Sequence, residues 1–322
     1  MSIKTSVAVV VVLLAAPILA VAQTQWVDDP SNPVIPAPDP GAWDAERYLG
    51  AVIEVDGTYH MYFSGRNSGP GVLYFEIGHA TSSDGGVTWD MDDANPVMTF
   101  GDPGDWDDGT VWLGAVIHDE SGFRMWYGGN DGQFCRTGYA TSDDGSTWTP
   151  HASNPVIDVG PPGSFDAQWA LLDTVIVQDG HYQAWYWAAD SSGVWRIGYA
   201  ESGDGLIWQK HPLPVIDPGY GPEVLFDGQF YGMWYAVEYP QAAIYYAVSP
   251  DGVGWIPYSS NPVLGVGSSL PAVLFDSGDG VYKMWYQGPG FSFRMATSEC
   301  CATVFLDGFE SGDTSAWSAM VP

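Results

Sequence analysis

Apolar residues in this chain come in short runs. After one unbroken stretch from Val7 to Ala20, no long hydrophobic segment recurs. Instead, segments such as Ala51-Val52-Ile53, Ala115-Val116-Ile117 and Arg196-Ile197-Gly198-Tyr199-Ala200 alternate with Asp-Gly, Gly and Pro punctuation. Runs of that length between turn signals predict β-strands, and nothing in the pattern predicts a helical domain.

The segments repeat. Ser-x-Asp-Gly-x-x-Trp occurs at Ser142–Trp148, Ser202–Trp208 and Ser249–Trp255, with a version one residue longer at Ser82–Trp89. A strand ending in an aromatic triplet precedes each: Met61-Tyr62-Phe63, Met125-Trp126-Tyr127, Ala184-Trp185-Tyr186 and Met233-Trp234-Tyr235, with a fifth at Met284-Trp285-Tyr286. A third marker follows: Asn95-Pro96-Val97, Asn154-Pro155-Val156, Leu213-Pro214-Val215 and Asn261-Pro262-Val263. Each unit reads as four antiparallel strands, with Asp-Gly supplying the turn between the third and fourth. Such units repeated radially make a β-propeller.

The fifth unit stops after Ala296-Thr297-Ser298 without its Asp-Gly turn. The missing piece stands at the other end of the chain, where Trp26 leads to Asn32-Pro33-Val34. The expected fold is therefore all-β: a five-bladed β-propeller over residues 23–299, its last blade closed by the N-terminal strand, which covers an open sheet edge.

Composition narrows the function. Lys4, the apolar run and Ala20-Val21-Ala22 read as a signal peptide over residues 1–22, so the protein is expected to be secreted, without a membrane span and as a monomer. The net charge of -30 excludes nucleic acid and anionic membranes as natural partners. It leaves solubility, or Ca²⁺ at some carboxylate cluster, as its meaning. No cofactor is required and no metal-ligand spacing occurs. Cys135 is free to bridge either Cys300 or Cys301 in an oxidising compartment, but not both. Residues 300–322 form a separate tail, read either as a sorting element or as a frayed end.

The succession Met-Trp-Tyr, Gly-Tyr-Ala-Thr-Ser, Asp-Gly-x-x-Trp and Asn-Pro-Val resembles the five-bladed propeller glycosidases: the arabinanase/xylosidase (family 43), invertase-like and mannoside phosphorylase-like groups. The resemblance covers Gln25 to Glu299. It implies a glycoside hydrolase acting on poly- or oligosaccharide through paired carboxylates in the propeller funnel. The alternative is a non-catalytic propeller that binds glycan or protein. The Asp-Gly turn of Ser82–Trp89 also resembles the Asp-box of sialidases, and it reads better as a turn staple.

Aligned on the aromatic triplets, Asp173 falls where the resemblance places an orienting Asp, while other units carry Gly50, Gly114, Pro222 and Pro271. A carboxyl on an apolar inner strand is costly unless paired or wet, which marks it for function. Glu223 also breaks the repeat and is the candidate proton donor. The base would fall at Gly50, which has no side chain, so Glu46 becomes the candidate base. Asp44 repeats as Asp107 and Asp166 and reads as structural. Trp112, Trp169, Trp187 and Trp195 lie outside the shared markers. The first three, with Asp108, are candidate substrate contacts, against the alternative of packing between blades. His60, His79 and His181 occupy repeated positions and read as structural.

Overall fold

The computed structural model describes residues 25–67, 74–238 and 241–299. The leader, the tail and Cys300–Cys301 lie outside them. Within the described residues the chain forms strands, one 3-10 turn at Pro289–Phe291, and no α-helix.

The strands sort into five groups of four. Strands β2 (Glu46–Val55), β3 (Thr58–Arg66), β4 (Glu76–Ser82) and β5 (Asp90–Met91) form the first sheet. Strands β6 (Thr110–Asp119), β7 (Gly122–Asn130), β8 (Cys135–Ser142) and β9 (Thr149–Pro150) form the second. The third holds β10 (Trp169–Gln178), β11 (His181–Ala189), β12 (Trp195–Ser202) and β13 (Trp208–Lys210), joined to the second by a single parallel bridge, Trp169 to Cys135. The fourth is β14 (Tyr220–Phe226), β15 (Tyr231–Glu238), β16 (Ala242–Ser249) and β17 (Ile256–Pro257). In the fifth, β18 (Ser269–Asp276), β19 (Val281–Gln287) and β20 (Phe293–Glu299) are joined by β1 (Val27–Asp28) from the start of the described chain. Val27 pairs with Thr297 and Asp28 with Ala296, so the N-terminal segment pairs where the repeat placed it.

Each core cluster is shared by two neighbouring sheets. Met61 and Phe63 of the first sheet pack with Trp285 and Phe293 of the fifth, Tyr62 with Met125, Trp126 with Tyr186, Trp185 with Met233, and Trp234 with Met284. The middle residue of every aromatic triplet is fully buried at one of these contacts. A sheet therefore buries both faces against its neighbours, which explains why the repeat is so rich in Trp and Tyr.

The two other markers also have a mechanical meaning. The Ser and Asp of each Asp-Gly turn bind the turn's own backbone, as Gly86 N donates to Ser82 Oγ at 3.0 Å and Thr88 N to Asp84 Oδ1 at 2.9 Å. Hydrogen bonds from Thr88 hold the Asp84 carboxyl down to about 2. The Asn before Pro stands in for a strand: Asn95 accepts from His79 N and donates to His79 O, both at 2.8 Å. Asn32, Asn154 and Asn261 do the same for Met295, Tyr139 and Tyr246.

Candidate active site

The first strands of the sheets, β2, β6, β10, β14 and β18, contact one another in a ring. Each carries a break in register: Leu49/Ala51, Leu113/Ala115, Leu172/Thr174, Tyr220/Glu223 and Ser269/Ala272. The residues inside the breaks are Gly50, Gly114, Asp173, Gly221-Pro222 and Leu270-Pro271. A bulge re-aims a side chain, and here it does so on every strand of the ring. A Cβ on Gly114 would stand 1.9 Å from the Leu172 carbonyl, so glycine is needed there for close approach. On β10 the same place carries a carboxyl.

Two cavities meet at that carboxyl. The larger, about 630 Å³, is lined by Asp173, Thr174, Glu223, Glu54, His118 and Asp276 among others. The narrower, about 220 Å³, is lined by Asp173, Tyr48, Ser64, Arg66, Trp112 and Trp187 among others. Asp173 belongs to both walls.

Asp173 and Glu223 each show part of their surface to the channel and are otherwise enclosed by protein. The Oδ2 atom of Asp173 is buried and has no hydrogen-bond partner. Burial pushes both carboxyls well above the ordinary range. For Glu223 the neighbouring Asp173 charge pushes the same way, while hydrogen bonds donated to its carboxylate, from the Thr174 hydroxyl or the Val273 N–H, act the other way. The charge of Asp173 and the burial of Glu223 both disfavour ionisation of Glu223. The structure thus brings Asp173 and Glu223 together.

Glu46, at the start of β2, is held by Arg66, whose Nη2 lies 2.5 Å from Glu46 Oε2. Arg66 also sits 4.9 Å over the Phe75 ring and lines the narrow cavity, where Glu46 balances its charge. At Gly50 an added Cβ would meet Leu113 Cδ2 at 2.1 Å, so an apolar side chain occupies the space in front of this residue.

The three Trp candidates are contiguous. Trp112 stacks on Phe75 with centroids 3.6 Å apart and meets Trp169 at 5.9 Å; Trp169 meets Trp187 at 5.6 Å, and Trp187 stacks on Tyr220 at 5.3 Å. Trp195 closes on Trp187 at 4.7 Å. The indole N–H groups of Trp169 and Trp187 are buried without a partner. Asp108 stands apart from this group as a loop ligand, accepting from Gly104 N at 2.7 Å. Asp44 binds Arg47 at 2.6 Å, Asp107 accepts from Tyr127, and Asp166 accepts from Tyr186 and Lys210, in keeping with structural roles.

Sequence reasoning missed three features. Gln287 shares the register of Trp187, two residues past the middle aromatic, and its Oε1 is buried without a partner. Its signal was available, since the same position elsewhere holds Ser64, Gly128 and Ala236. Thr174 breaks the repeat in the same way: it stands opposite Trp185 as Glu223 stands opposite Trp234. The third is a polar network with no sequence signal. His79 Nδ1 lies 2.9 Å from Asp92, His79 Nε2 lies 3.0 Å from His60 Nδ1, and the Ser146 hydroxyl also donates to Asp92. Serine and aspartate meet the same end of the His79 ring, so this is not a nucleophile arrangement. Among the described residues no three His, Cys, Asp or Glu side chains could hold a metal ion, and no helix is long and apolar enough to cross a membrane. Cys135 is buried, with its thiol pushed well up by burial.

Comparison with known proteins agrees with this architecture. Residues 50–169 match the glycosyl hydrolases family 32 N-terminal domain. A thermostable family-43 glycoside hydrolase superposes with a TM-score of 0.61 at 18% identity, over 81% of this chain and 92% of that one. Zg3597, a family 117 glycoside hydrolase from the marine bacterium Zobellia galactanivorans, does so at 0.63 and 18%, over 86% and 90%. This is the β-propeller fold of the glycoside hydrolases. The resemblance carried by the repeats is thus a resemblance of fold to a group of five-bladed propeller enzymes. The propeller also has a relative of 27% identity over 225 residues in the uncharacterized protein Rv1502 of Mycobacterium tuberculosis (strain ATCC 25618 / H37Rv), spanning 61% of this chain and 70% of that protein.

Proposed function

We propose that this protein is a secreted, monomeric glycoside hydrolase whose five sheets form a closed five-bladed propeller, and that it cleaves a glycosidic bond in a poly- or oligosaccharide. The observation that carries the reading is a set of buried polar atoms without partners: Asp173 Oδ2 and the Trp187 indole N–H, both of residues lining the narrower cavity, the indole N–H of Trp169, which packs on Trp187, and Gln287 Oε1 at the equivalent position of the fifth sheet. Each such atom costs about 1–3 kcal/mol, so several of them at and beside one cavity favour a ligand that supplies partners. Sugar hydroxyls both donate and accept, and the adjoining aromatic faces suit the C–H surface of a sugar ring.

In this reading Glu223 is the proton donor to the leaving oxygen. Asp173 orients the sugar and, through its charge, helps to keep the proton on Glu223. Glu46, steadied by Arg66, is the base that takes a proton from the attacking water. Trp112, Trp169 and Trp187 form the platform, and no metal enters the scheme.

A second reading, a propeller that binds glycan without cleaving it, draws on Gly50. Leu113 fills the space where related enzymes are expected to carry their base. The two readings separate in one experiment. The purified protein is incubated with a panel of oligo- and polysaccharides, and reducing-end release is followed alongside calorimetric binding. Turnover that falls at least about a hundredfold in Glu223→Gln and Asp173→Asn supports hydrolysis. Binding without turnover on every glycan overturns it in favour of the second reading.

A further inference from the structure

Position by position around the ring, the residue opposite the middle aromatic of each sheet is Ala51, Ala115, Thr174, Glu223 and Ala272. Three are alanine. The two polar ones are neighbours, on β10 and β14. The repeat is broken twice, at adjacent places, by groups able to hydrogen-bond each other.

The Thr174 hydroxyl donates to the Pro222 carbonyl at 2.7 Å. A hydroxyl carries one proton, and a carbonyl can only accept, so that proton is committed. Thr174 Oγ1 also lies 3.4 Å from Glu223 Oε2. A hydrogen bond donated by Thr174 would lower Glu223, but with its one hydrogen directed at the much closer Pro222 carbonyl, Thr174 can offer Glu223 only a lone pair. A carboxylate facing that lone pair would be repelled, whereas a carboxylic acid would donate to it. The Val273 N–H reaches Glu223 from β18. A protonated Glu223 would complete a directed chain: Val273 N–H to Glu223, Glu223 O–H to Thr174, Thr174 O–H to Pro222 C=O.

We infer that Thr174 is a positioning residue that holds the proton on Glu223 by accepting its hydrogen bond. The inference deepens the glycosidase reading, in which Glu223 is the donor. Other titratable groups of the same cavity are Asp173 on β10, Glu54 on β2, Tyr59 on β3, His118 on β6 and Asp276 on β18; β15 places the uncharged Trp234 opposite Glu223. Asp173 pushes in the same direction as Thr174, so the variants below leave Asp173 in place.

The test is an infrared titration without substrate. The C=O stretch of protonated Glu223 is assigned by its disappearance in Glu223→Gln, and its pH midpoint is then compared in wild type, Thr174→Val and Thr174→Ser. Losing an acceptor removes support from the acid form, so Thr174→Val is expected to lower the midpoint by about one pH unit. Thr174→Ser is expected to restore it. A midpoint that rises means that threonine donates to the carboxylate and overturns the inference, as does one that stays in place. If Thr174→Val does not fold, Thr174→Ala is read in the same way. Because no turnover is measured, failure of the glycosidase reading leaves this result standing, and the converse holds too.

Discussion

The indole N–H of Trp285 donates to the carbonyl of Gly86 at 2.9 Å, across 199 residues of chain. The same carbonyl accepts the indole N–H of Trp89 at 2.9 Å, so both its lone pairs are used. The arrangement recurs where Trp126 and Trp208 share Gly205, and where Trp185 and Trp255 share Gly252. In the first sheet, Tyr62 replaces tryptophan and donates to Gly145. The first, second and third sheets thus each reach the Asp-Gly turn of the next, and Trp285 ties the fifth sheet back to the first.

Removing that tie should cost stability out of proportion to the atoms lost. Trp285→Phe keeps most of the packing but leaves one lone pair of Gly86 unfilled, and is expected to lose about 1–3 kcal/mol in urea unfolding. Gly86→Ala should cost more. Gly86 has φ +84°, and its added Cβ would lie 2.2 Å from Trp285 Cζ2.

The paired carboxyls predict a pH dependence of unfavourable sign. Burial raises Asp173 and Glu223 above their unfolded values, so the folded state holds protons that the unfolded state releases. Their contribution is full below the ordinary carboxylate range and is lost as pH rises through the raised values. Glu223→Gln should flatten this fall, giving a chain that is more stable than wild type at high pH while lacking glycan cleavage. Denaturation midpoints measured across that range check both sign and slope.

The histidine network predicts the opposite slope on the acid side. Burial, with help from His79 and His118, lowers His60 to about 4 from 6.5. Its folded state resists a proton that the unfolded state accepts. Stability from this group is full above about 6.5 and drains away as pH falls towards about 4. The difference in unfolding midpoint between wild type and His60→Phe should change across that window and level off on either side.

The unpartnered indoles separate binding from stability. Trp187→Phe retains an aromatic face but removes a buried donor that has no partner. Stability should change little, while glycan affinity measured by calorimetry should fall about tenfold, the worth of one hydrogen bond to the ligand. A large loss of stability with unchanged affinity would assign Trp187 to packing alone.

Leu113 and Gly50 should behave as a coupled pair. Gly50→Asp alone drives a side chain into Leu113 and is expected to destabilise strongly. Leu113→Ala alone should cost about 2–5 kcal/mol. Combined, the two should cost clearly less than their sum, since the cavity left by one receives the side chain of the other.

Much of the architecture was legible in advance because it rests on local chemistry. Asp-Gly turns, aromatic triplets and Asn-Pro segments each perform within a few residues the job their composition suggests, and their spacing placed β1 beside β20. Two carboxyls of the candidate site stood out for a related reason: Asp173 and Glu223 interrupt a pattern that is otherwise apolar. Thr174 and Gln287 interrupt it too, and became meaningful only beside their neighbours. The network of His60, His79, Asp92 and Ser146 had no signal, because His60, His79 and Asp92 meet only through the pairing of β3 with β4 and the turn after β5, and Ser146 reaches them from the second sheet.

The sequence by itself therefore determined the strands, the repeat and the positions at which the repeat fails, because those depend on hydrophobic period and turn chemistry. The tertiary structure alone decided what the failures do. A bulge placed Asp173 in the wall of two cavities, the packing of β10 on β14 set a hydroxyl beside Glu223, and Leu113 from the second sheet closed the space at Gly50. Those are relations between strands, and they exist only once the sheets stand around a common channel.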